Sequence, residues 1–171
     1  MATQLDLMAA VYAAPERAET ILNMLQSMHR ANNITLADAA MVTRDQEGKL
    51  HVKETHEVTA GKGAKRGAIA AGVLGLIFPP SIIASALIGG AAGAAWGKLR
   101  DTGIKTGSMN EIAESLQPGQ AMVFALSEPA FVPEIERAME GWDGHLVRHG
   151  FDTDESAAIE KAADEQPSSS A

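Results

Sequence analysis

The sequence predicts an α+β protein: a ferredoxin-like βαβ-βαβ sandwich with an inserted glycine-rich apolar helical hairpin. Three observations predict it. An apolar run that meets a proline and then an amphipathic helix occurs twice, at Met8–Pro15 and at Met122–Pro129. Two further strand-like segments lie between these units and form a hairpin. The stretch Gly67–Gly97 holds 31 residues without one charge. Two βαβ units, each with a right-handed crossover, make the sandwich.

The first unit opens at Leu5–Ala13. This apolar run has the length of a buried strand and is too short for a helix. Pro15 stands where a first helical turn begins. Ala18, Ile21, Leu22, Leu25 and Met28 then share one face of a helix. Asn32-Asn33 ends it, because Asn tolerates the left-handed cap. Residues 34–44 read as a strand whose alternation is blurred by Ala39 and Ala40. Asp45-Gln46-Glu47-Gly48 is a turn with Gly placed for a positive φ. Leu50, Val52, His56 and Val58 give a half-exposed strand over 49–57.

The insert follows. Small residues recur every fourth position through it, on one helix face. Gly67, Ala71 and Gly75 continue a series begun at Gly63; Ser85, Gly89, Gly93 and Gly97 continue one begun at Ser81. Such stripes let helix backbones approach closely in an apolar setting. Pro79-Pro80 divides the run into helices over about 64–78 and 81–99. The charge-free arms would be roughly 18 Å and 25 Å long, against a bilayer core of about 30 Å. A re-entrant hairpin fits these lengths better than two full spans. Lys62, Lys65 and Arg66 precede the run; Lys98, Arg100 and Lys105 follow it. Both ends of a hairpin lie on one side, and basic flanks place that side in the cytoplasm, against anionic headgroups. Trp96 stands near the exit, where interfacial aromatics are common. The same run also fits a hairpin buried inside a soluble oligomer.

Ser108-x-x-Glu111 has the form of a capping box. The short helix after it carries Ile112, Ala113 and Leu116 and stops at Pro118-Gly119. Gln120–Leu126 is a second buried strand, and unbroken apolar character places it centrally beside the first. Pro129 and Pro133 precede a helix with Ile135, Ala138, Met139 and Trp142 on one face. Asp143-Gly144 is a turn, and His145–Phe151 is the last strand. Residues 152–171 read as a frayed helix and then a disordered tail. The domains expected are therefore 1–59 with 106–151, the insert 60–105, and the acidic tail 152–171.

Composition narrows the chemistry. The chain is 46% hydrophobic but 4% aromatic, so Ala, Leu, Ile, Val and Met must build the core. It has no cysteine, which excludes disulfide and thiolate chemistry. Net charge is −8, with no basic stripe beyond the flanks of the insert, which argues against nucleic-acid binding. The opening MATQLDLMAA has no basic n-region, so no secretory signal is expected. No phosphate loop or G-x-S-x-G occurs. His145 and His149 share a strand face but lack a third ligand; a solvated face explains them better than a metal site. His51 and His56 fall on opposite faces. Glu16/Glu19 and Glu134/Glu136 lie on helix surfaces. No catalytic, cofactor or metal residue is assigned.

The strand–proline–helix opening at Met8–Met28, the insert at 67–97, the segment Ile112–Phe124 and the closing helix–Gly144–strand unit together resemble the bacterial domain-of-unknown-function family numbered 1269. The resemblance covers about residues 5–151. It implies membrane association, no established activity and no catalytic residues. The expectation is a non-enzymatic protein of the inner membrane with lipid and its own copies as partners. A soluble cytoplasmic scaffold and a small-ligand-sensing domain are the alternatives.

Overall fold

A computed structural model describes residues 4–54, 107–140 and 145–164. The expected helices at 64–78 and 81–99, strand residues 55–57, Trp142 and the Asp143-Gly144 turn lie outside the described residues. The chain is α+β, with one five-stranded antiparallel sheet. The strands are β1 (Asp6–Tyr12), β2 (Leu36–Arg44), β3 (Leu50–Glu54), β4 (Ala121–Ser127) and β5 (His145–Gly150), in the order β3-β2-β4-β1-β5. The helices are α1 (Pro15–Arg30), α2 (Gly107–Ser115), α3 (Val132–Glu140) and α4 (Thr153–Asp164), with a 3-10 turn at Pro129–Phe131.

The two apolar runs are the central strands, as their composition predicts. β4 is buried at all seven positions, and β1 at all but Val11. They pair directly, from Asp6 opposite Ser127 to Tyr12 opposite Ala121. Successive side chains point to opposite faces, so each strand feeds two cores. On one face Met8, Ala10, Tyr12, Val123 and Ala125 meet α1 through Ala18, Ile21, Leu22 and Leu25, and α3 through Val132, Ile135 and Met139. On the other, Leu7, Ala9, Met122, Phe124 and Leu126 meet Ile112 and Ala113 of α2, Leu116, and Ile159 of α4. Ala39 and Ala40 blur the alternation of β2 because both faces are covered; the two residues belong to opposite cores.

Local chemistry fixes the connections. Asn32 closes α1 with φ of 60°. Its N–H donates to the His29 carbonyl at 3.1 Å and that of Asn33 to Met28 at 2.9 Å, the paired bonds of a Schellman motif. Gly48, at φ of +85°, closes the β2–β3 hairpin, its N–H donating to the Asp45 carbonyl at 3.0 Å. Two boundaries differ from expectation. α3 starts at Val132, so Pro133 sits in its first turn, where the missing amide has no partner to lose. Ser108 is not the cap of α2. The helix already includes Gly107, so Ser108 lies inside its first turn.

The larger difference concerns the acidic segment. Residues 153–164 form α4, with Ser156 and Ile159 fully buried. A capping box that the sequence reading passed over starts it. The Glu155 N–H donates to Asp152 Oδ1 at 2.8 Å, and the Asp152 N–H to Glu155 Oε2 at 3.0 Å. The helix and the residue leading into it are both tied to Leu5, just before β1. The Leu5 N–H donates to Ser156 Oγ at 3.0 Å, and the Phe151 N–H to the Leu5 carbonyl at 2.9 Å. Residues 165–171 lie outside the described residues. Ile159→Ala should therefore lower stability by about 2–5 kcal/mol in urea denaturation, the cost of emptying a buried aliphatic site. A frayed segment would give a change within about 0.5 kcal/mol.

Candidate functional site

The residues that sequence reasoning singled out lie in the insert. The helix-packing set Gly67, Ala71, Gly75, Ser85, Gly89, Gly93 and Gly97, and the surface set Lys62, Lys65, Arg66, Lys98 and Arg100, all fall outside the described residues. The described residues define the platform that carries them. Edge strand β3 is described as far as Glu54, and the chain is next described at Gly107 in α2. Both βαβ units, β1–α1–β2 and β4–α3–β5, are uninterrupted by the insert.

Two polar corners stand at opposite ends of this platform. At the first, Asp6 lies opposite Ser127 on β4 and Gly150 on β5. Its side chain is 3% exposed and accepts a hydrogen bond from Arg148 Nη2, whose side chain is 48% exposed. A Cβ at position 150 would stand 2.8 Å from Asp6 Oδ1. Glycine there leaves room for the carboxylate. Ser127 Oγ donates to the Thr35 carbonyl, tying β4 to the approach of β2. His29 Nδ1 accepts from the Leu36 N–H at 3.2 Å, where β2 begins.

At the second corner the β2–β3 turn is held by one carboxylate. Asp45 Oδ1 accepts from the N–H groups of Glu47 at 2.9 Å and Lys49 at 2.8 Å, and Oδ2 lies 2.8 Å from His51 Nε2. The His51 contact first, and then the backbone donors, hold the Asp45 carboxyl below its ordinary value. Arg44 Nη1 donates to the Leu116 carbonyl at 3.0 Å, and the Gly119 N–H to the Arg44 carbonyl at 2.8 Å, joining the end of β2 to the α2–β4 loop. Arg44 Nε is buried with no acceptor among the described residues. Nearby in the sheet order, the Tyr12 hydroxyl donates to the Met139 carbonyl at 2.8 Å, and burial pushes its ionisation far up.

These contacts are structural in kind: each ties one element to another. Among the described residues no three His, Cys, Asp or Glu side chains gather to hold a metal ion. His149 is half-buried and packs edge-on against Phe151, with ring centroids 4.9 Å apart. The side chain of His145 is outside the described set. Among the described residues no helix is long and apolar enough to cross a membrane.

The fold thus defines a class: an α+β domain with helices on both faces of an antiparallel sheet and a long insert between its third and fourth strands. A family model described as protein of unknown function DUF1269 matches residues 64–164, more than half of the chain, and the chain belongs to that family. The match takes in the charge-free run and extends through α4, beyond the limit of 151 expected from sequence, while β1–β3 precede it. Comparison with curated proteins and with solved structures gives no match.

Sequence reasoning missed the Asp6–Arg148–Gly150 corner. A lone acid in an apolar strand was its only visible signal. Arg148→Ala should destabilise the protein by roughly 1–3 kcal/mol, because it strips a buried carboxylate of its charged partner. Asp6→Ala should cost less, since the freed guanidinium can turn to water; chemical denaturation of the two variants gives the comparison.

The Asp45 turn should appear in the acid limb of stability. A carboxylate with a lowered pKa contributes above its unfolded value, near pH 4, and loses that contribution as pH falls through the folded value. Urea midpoints measured at pH 5 and pH 3 should separate less in Asp45→Asn than in the parent protein.

Proposed function

We propose that this chain is a non-enzymatic, membrane-associated protein: a ferredoxin-like domain on the cytoplasmic side of the inner membrane, tethered and self-associated through a glycine-striped hairpin at 60–105. The observation that carries this reading is the charge-free run Gly67–Gly97 between the basic clusters at Lys62–Arg66 and Lys98–Arg100. Thirty-one residues without a charge are longer than ordinary core segments. The stripe at Gly67, Ala71 and Gly75, with Ser85, Gly89, Gly93 and Gly97, supplies a face for close helix packing. Lipid headgroups are the partners that the flanking Lys and Arg suit.

The platform supports the tether. With β3 set aside, the strand order is β2-β4-β1-β5, which is the interleaving of a split βαβ pair. The insert leaves from an edge strand rather than from within either unit, so a segment placed in lipid would not disturb the sheet. Ferredoxin-like folds serve many tasks, so the run, not the fold, is what favours a membrane role.

A second reading has one observation in its favour. The arm before Pro79 reaches only roughly 18 Å, short of a bilayer core, which suits hairpins bundled inside a soluble homo-oligomer. Membrane fractionation with an alkaline wash separates the two. The full chain should stay with the membrane, and a chain lacking 61–105 should become soluble. If both are soluble, the tether is wrong and the scaffold reading takes its place. Within the tether reading, Gly89→Leu with Gly93→Leu should reduce oligomer size in detergent; an unchanged size would remove the self-association role of the stripe.

A further inference from the structure

We draw no further inference here: the strongest candidate, the outer edge of β5, where Leu146, Val147 and His149 are half-buried beside the exposed Arg148, carries nothing because nothing in the structure shows what covers it.

Discussion

The architecture rests on one constraint: β4 has no polar face. All seven of its residues are buried, and the alternation of a strand sends them to both sides of the sheet. Cover is therefore required on two faces, and the two faces solve the packing differently. The α1–α3 side presents Ala10, Ala39, Ala121 and Ala125 from the sheet. Those alanines leave room for Ile21, Leu22, Leu25, Ile135 and Met139 of the helices, while Met8 and Tyr12 of β1 supply bulk from the sheet. The opposite side carries Phe124 of β4 and Phe151 after β5, both fully buried, beside the small Ala9 and Ala40. A chain with 4% aromatic residues concentrates two of its four phenylalanines there. Among the described residues, α2 contributes Ile112 and Ala113 to that core, and α4 contributes Ile159 with the partly buried Ala158.

This explains what was legible. The buried strands and α1 announce themselves through composition and period, and Asn32 and Gly48 through backbone chemistry, so these elements follow from the sequence within a residue or two. The role of α4 does not. Its segment carries six acids against Lys161 between Asp152 and Glu165, and the charge reads as a solvated tail. The pattern Asp152-x-x-Glu155 was a fair signal of a helix start, but its docking depends on Ser156 reaching Leu5, just before β1, and on Ile159 joining the core. That contact joins residues 151 positions apart, which no local window contains.

The polar corners were hidden for the same reason. Asp6 is a single acid inside an apolar strand, and its meaning comes only from register. The pairing of β1 with β5 puts Gly150 opposite it and Arg148 opposite the next inward-facing neighbour, Met8. Neither β5 residue is unusual in its own sequence context. Asp45 is the contrasting case. Its partners Glu47, Lys49 and His51 lie within six positions, and the turn was recognised, although the sequence could not say that one carboxylate would collect all three contacts.

The position of the insert follows from how the two units interlock. β4 lies between β1 and β2, and β1 lies between β4 and β5. Each βαβ unit therefore supplies the middle strand of the other, and neither can complete its pairing alone. The connection between the units has to close a loop but does not have to be short. Each doubling of a flexible connection costs only about 0.6 kcal/mol. The 52 residues between Glu54 and Gly107 occupy that connection. The same length inserted within a βαβ unit would instead separate a strand from the helix that must cover it. The junction after β3 is thus the place in this topology where a long segment of foreign composition disturbs the sheet least. Basic and glycine-rich residues can accumulate there under demands unrelated to the core.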